Sequence, residues 1–151
     1  MSNLLDKIDD DFKDAMKKRL DSVKLTLSTL KSNVKYKMLD LKAKGKELTD
    51  IDILGVIDGM IKKGRESAEQ FLQGGRKDLS DRELEQINII AKYLPKQLTE
   101  LELKEIIGAE IKLQKYDKIS DMGHVMNMLK QNFAGRYDSK IASDIIKSVL
   151  K

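Results

Sequence analysis

The sequence predicts an all-α protein of about seven helices, divided near Pro95. Three observations predict it. Apolar residues recur every three or four positions through most of the chain. Ser, Thr or Asp precedes several of these runs, in some cases with a carboxylate three positions later, the signature of a capping box. Charged residues make up 36% of the chain, aromatics only 5%, and there is one proline, a composition suited to solvated amphipathic helices.

Leu4, Ile8, Phe12 and Ala15 share one face of a first helix. Its acids (Asp6, Asp9 to Asp11) come early and Lys17 to Arg19 come late, the order that complements a helix dipole. A second helix is expected over 20–44, with the stripe Leu20, Val23, Leu27, Leu30, Val34, Met38 and Leu41, and Gly45 as its left-handed stop. Thr49 and Asp52 open a third helix whose expected apolar face is Leu54, Ile57, Ile61, Ala68 and Leu72. Gly55, Gly59 and Gly64 lie inside it, so either close packing compensates for them or the helix is locally loose. Gly74 and Gly75 follow a helical run and read as its terminator. A phosphate loop would set its glycines before a helix N-terminus, and no GxxxxGK[ST] spacing exists here.

Ser80 with Glu83 is expected to cap a fourth helix carrying Leu84, Ile87, Ile90, Ala91 and Leu94. Pro95 then breaks the helical pattern and sets the expected domains at 1–94 and 95–151. Thr99 with Glu102 opens a fifth helix (Leu103, Ile106, Ile107, Ile111, Leu113). Ser120 is the expected cap of a sixth (Met122, Val125, Met126, Leu129). Gly135 ends that region, and Asp138 caps the last helix (Ile141, Ala142, Ile145, Ile146, Val149, Leu150).

The chain has no cysteine and one histidine, which removes thiol chemistry and cysteine-based zinc sites. His124 is expected on the solvent side of its helix. Asp9, Asp10 and Asp11 are adjacent and fan around a helix, while Asp50/Asp52 and Glu100/Glu102 belong to first turns. Ser67 lacks a nearby histidine and nucleophile-elbow glycines. No catalytic residue, metal or cofactor is expected. The acidic N-terminus does not read as a signal peptide, and no run approaches the roughly 18 apolar residues of a membrane span, so a cytoplasmic home and no membrane partner are expected.

The net charge is +4, with 12 basic and 8 acidic residues in 1–48. On a continuous second helix, Lys24, Lys31, Lys35 and Lys42 fall within about 20° of one line that runs for roughly 27 Å. Such a row can cover the edge of a core with its stems or follow a phosphate backbone. Lys63 on the third helix, Arg76 and Lys77 after the paired glycines, and Lys130, Arg136 and Lys140 near the last two helices are further nucleic-acid-binding candidates. The scattered tyrosines do not make a base-stacking platform, which leaves shape and backbone recognition.

The segments "ESAEQFLQGGRKDL" (66–79), "YLPKQLTELEL" (93–103) and "MGHVMNMLKQNFAGRYDSK" (122–140) together resemble the YqeY-like family (GatB/YqeY domain). That family is similar to the tail domain of the B subunit of the tRNA-dependent aspartyl/glutamyl amidotransferase. The resemblance implies an N-terminal helical bundle followed by a smaller C-terminal helical domain, and contact with tRNA or a tRNA-bound enzyme. It carries the family's basic and glycine positions onto Arg76, Lys96, Gly135, Arg136 and Lys140. Gly64, His124 and Ser139 depart from residues common in relatives. The leading expectation is a non-catalytic tRNA- or RNA-associated accessory module. The alternatives are a protein-interaction adaptor that docks by an exposed apolar helix face, or amidotransferase-related activity only within a complex. Nothing in the sequence sets an oligomeric state.

Overall fold

The computed structural model describes residues 3–150. Residues 1, 2 and 151, at the ends of the two expected domains, lie outside the described residues. Seven α-helices, one short 3₁₀ turn and no strand make up the described chain. The chain divides after Leu94 into two compact units, each with its own apolar core.

The first unit contains α1 (Asn3–Lys17), α2 (Asp21–Ala43), α3 (Asp50–Gln73) and α4 (Lys77–Ala91). Ile8 from α1, Leu27, Leu30 and Val34 from α2, Ile53, Ile57 and Ile61 from α3, and Ile87 and Ile90 from α4 form its core. Full burial stabilises each such side chain by about 1.5–3 kcal/mol relative to exposure. Two helix ends use the same turn. After α2, Lys46 N donates to Leu41 O and Gly45 N to Lys42 O, with Gly45 at φ +72°. After α3, Arg76 N donates to Phe71 O and Gly75 N to Leu72 O, with Gly75 at φ +76°. Both satisfy terminal carbonyls through a left-handed glycine.

Thr49 and Asp52 form the expected capping box, with Thr49 N donating to Asp52 Oδ2 at 2.9 Å. The buried face of α3 is Ile53, Ile57, Ile61, Gly64 and Ala68. It begins one residue before the expected Leu54, and Leu72 is exposed while Phe71 is half-buried. The three glycines have different surroundings. A Cβ at Gly55 or Gly59 would meet open space, but one at Gly64 would lie 3.1 Å from the Ile87 side chain. Close packing of α3 on α4 therefore explains Gly64 alone.

The fourth helix departs most from expectation. It starts at Lys77, so Ser80 is a buried interior residue and forms no capping box with Glu83. The turn through Gly74 and Gly75 already delivers the chain to a new helix at Lys77, so Ser80 falls inside its first turn on the buried side. Leu84 is exposed, as is Leu20, which precedes α2 and is not part of it.

In the second unit, α5 (Glu100–Gln114), α6 (Met122–Asn132) and α7 (Ser139–Val149) enclose Leu103, Ile107, Ile111, Val125, Leu129, Ala142, Ile145 and Ile146. Thr99 and Glu102 cap α5 reciprocally, and Asp138 Oδ1 accepts from Lys140 N (2.8 Å) and Ile141 N (3.2 Å) at α7. Ser120 does not cap α6. It lies inside the 3₁₀ turn Ile119–Asp121, which runs directly into the helix. Leu113, Ile141 and Val149 lie on exposed flanks.

Two measurements check these packing arguments. Gly64→Leu should destabilise the protein by about 1–3 kcal/mol through overpacking, whereas Gly59→Ala should stabilise it by up to about 1 kcal/mol, both read from urea unfolding. Tyr93 Oη donates to Asp11 at 2.6 Å, and burial followed by the bond and charge of Asp11 pushes the phenol far above its ordinary value. Because the folded value is raised, this contribution is present below about pH 10 and is lost as pH rises through the folded value. Tyr93→Phe should therefore cost about 1 kcal/mol at neutral pH and flatten the decline in alkali.

Candidate nucleic-acid interface

The cationic residues differ sharply in what they already touch. On α2, Lys24, Lys35 and Lys42 are exposed. Lys31, on the same line, turns toward α1, where its ammonium is 3.2 Å from Asp9 Oδ1 and 4.4 Å from the centre of the Phe12 ring. It is half-buried and covers the core edge with its stem. The row is thus three outward amines and one engaged in the α1–α2 contact. Among the remaining candidates, Lys63 is exposed on α3 and Lys77 at the start of α4.

Arg76 is held by its neighbour. Its Nε and Nη2 donate to the two carboxylate oxygens of Asp78 at 3.1 and 3.0 Å. The hydrogen bond from Arg76 holds the Asp78 carboxyl below its usual range, and the same pair raises the guanidinium value. The fork that could grip a phosphate is occupied by a carboxylate.

The second unit brings together residues far apart in sequence. The segment after Pro95 lies against the α6–α7 loop: Leu98 N donates to Arg136 O at 2.7 Å, and Gln97 Nε2 donates to the carbonyls of Pro95 and Gly135. Arg136 closes the clamp, its Nε donating to Lys96 O at 3.0 Å and its guanidinium lying 5.7 Å from the Phe133 ring. Gly135, at φ +73°, gives the loop the left-handed step that aims these groups. Lys96 and Arg136 therefore share one neighbourhood. Glu102 there is held below the usual carboxylate range, first by hydrogen bonds with Thr99 and further by the charges of Lys96 and Arg136. Lys140 is exposed on the first turn of α7 and Lys130 on the last turn of α6.

His124 is exposed, as its spacing predicts, and its ring stacks on Tyr116 with centroids 5.6 Å apart and planes 15° apart. The two rings are eight residues apart across the 3₁₀ turn, so helical periodicity gave no signal for the pair. Among the described residues, no three His, Asp or Glu side chains come together as a metal-binding group. No helix among them is long and apolar enough to cross a membrane.

Residues 5–150 match the family described as Yqey-like protein. The chain belongs to the YqeY-like family. Membership points to a non-catalytic accessory role. The YqeY-like chain is 33% identical over 88 residues to an uncharacterized protein of Schizosaccharomyces pombe, a match covering 58% of this chain and 69% of that one. It is 37% identical over 84 residues to the altered inheritance of mitochondria protein 41, mitochondrial, of Lachancea thermotolerans, covering 56% of this chain and 44% of that one. The protein of the same name from Vanderwaltozyma polyspora is 29% identical over 84 residues, with the same 56% and 44% coverage.

These names correct the expectation of a cytoplasmic home: two of the relatives are mitochondrial by name. Addresses reside in segments separable from a fold, so the composition of folded YqeY-like helices does not encode a compartment.

Arg136 positions the clamp through its Nε as well as carrying charge. Arg136→Lys keeps the charge but not the planar fork, and should destabilise the protein by about 1 kcal/mol. Thermal unfolding of Arg136→Lys beside Arg136→Gln checks this. Equal losses mark the geometry as the stabilising element, while a loss confined to Arg136→Gln would assign it to charge.

Proposed function

We propose that this YqeY-like protein is a tRNA- or RNA-associated accessory module whose C-terminal unit sets cationic side chains against a phosphate backbone. The observation that carries the reading is the clamp joining Lys96–Leu98 to Gly135–Arg136, which holds the backbone of Lys96 against the Arg136 guanidinium although 40 residues separate them, so that both charges act on Glu102. Arg136 uses Nε for its internal bond to Lys96 O. Phosphate recognition by Arg and Lys depends on such preset spacing, since each contact is charge-assisted and carries no base sequence information. Lys140 and Lys130 are further exposed cations of the same unit. The lysine row on α2 supports the reading less, because Lys31 is committed to Asp9.

No chemical step is part of this function. The module binds, and its effect is exerted through what it holds in place. The relation of the family to the amidotransferase tail domain makes folded tRNA, alone or on an enzyme, the first ligand to try.

Titrating the full chain with total folded tRNA over a salt series tests the proposal. Binding should weaken linearly on logarithmic axes as salt rises. Replacing Lys96 and Lys140 by glutamine should reduce that slope by about 1.4–1.8, the share of two phosphate contacts. A slope equal to that of the unmodified protein would refute the assignment of these two residues.

A further inference from the structure

Helix α2 is apolar on two sides. Its inner stripe enters the core, yet Leu25, Tyr36 and Leu39 remain 62%, 72% and 52% exposed on the outer side. With Thr29 and Ser32 between them, these positions follow a 4-3-4-3 spacing, that of a helix seam built to receive another helix. Thr29 Oγ1 donates back to Leu25 O at 3.1 Å, so its hydroxyl is satisfied within the helix. The stripe spans about 21 Å of helix axis without a charged residue along its line. Covering a core requires only one face of a helix, so fold stability alone does not account for the second.

The flanks identify the occupant. Lys24, Lys35 and Lys42 run along one side, about 80–100° from the stripe. Lys37 and Lys44 lie on the other, where Asp40 is engaged by Lys44 at 3.3 Å. A second copy of this chain laid on the stripe would set lysines against lysines in either orientation, and seam flanks of like charge oppose pairing. A phosphate backbone would satisfy the amines but leave both leucines in water. We propose that the outer face of α2 is the docking surface for an acidic amphipathic helix of another protein. Its apolar side covers Leu25, Tyr36 and Leu39, and its carboxylates face Lys24, Lys35 and Lys42. This surface lies on the N-terminal unit and does not rest on the RNA reading.

The probe is a designed helical peptide of about three heptads, with leucines at seam positions and glutamates on both flanks. A control peptide carries lysines in place of the glutamates. Fluorescence anisotropy with the full chain should show saturable binding of the acidic peptide and none of the basic one. Leu25→Gln with Leu39→Gln should weaken binding about tenfold or more, with tRNA affinity and unfolding temperature unchanged. Lys35→Gln with Lys42→Gln should weaken it and flatten its salt dependence. Absence of saturable binding, equal binding of the two peptides, or binding unaffected by the leucine changes would overturn the proposal. So would a dimer in sedimentation that the leucine changes dissolve, or tRNA affinity that falls with those leucines.

Discussion

The close approach of α3 and α4 governs the first unit. Gly64 has no side chain where Ile87 needs space, and a Cβ there would sit 3.1 Å from that residue. The Gly74–Gly75 turn returns the chain within three residues, so the two helices form a tight hairpin. Ile53, Ile57 and Ile61 of α3 and Ile87 and Ile90 of α4 then make one apolar wall. Helices α1 and α2 bury Ile8, Leu27, Leu30 and Val34 against it. Without the gap at Gly64 the wall would splay, because packed interiors do not absorb an extra methyl freely.

The second unit applies a different device, a backbone clamp instead of a close helix contact. Exposed loops gain order when their carbonyls and amides find fixed partners, and here the segment 95–98 and the loop 135–136 satisfy each other. Arg136 contributes through its fork geometry, which a lysine ammonium lacks. The guanidinium at this place is therefore held by the framework through its Nε. That distinction separates Arg136 from Arg76, whose fork is filled by Asp78.

Charge and apolar surface are also separated. The clamp offers cations beside a carboxylate, Glu102, whereas α2 offers an uncharged seam between lysine flanks. Phosphates match the first chemistry and acidic helices the second. On the proposed reading of an accessory protein that acts by joining partners, two dissimilar surfaces suit that role better than one.

Local signals accounted for much of the architecture. The capping boxes at Thr49 and Thr99, the cap at Asp138 and the left-handed stop at Gly45 act within a few residues, so they are legible in the letters themselves. Where a local signal met a stronger neighbour it lost: the Ser80 box yielded to a helix already started by the preceding turn, and Ser120 to a 3₁₀ turn. The apolar pattern of α2 is visible too, but it predicts a single inward stripe, and burial decides which leucines the core leaves out. Partnerships across the chain came from folding alone. Lys31 with Asp9, Tyr93 with Asp11, and Arg136 with Lys96 join residues whose separation carries no periodic signal. The seven helices and the ends marked by Thr49, Thr99, Asp138 and Gly45 are legible in the letters, because they depend on short-range backbone chemistry. Folding was needed to engage Lys31 with Asp9 and Arg136 with the Lys96 carbonyl, because each bond needs a group from a distant part of the chain to arrive within about 3 Å.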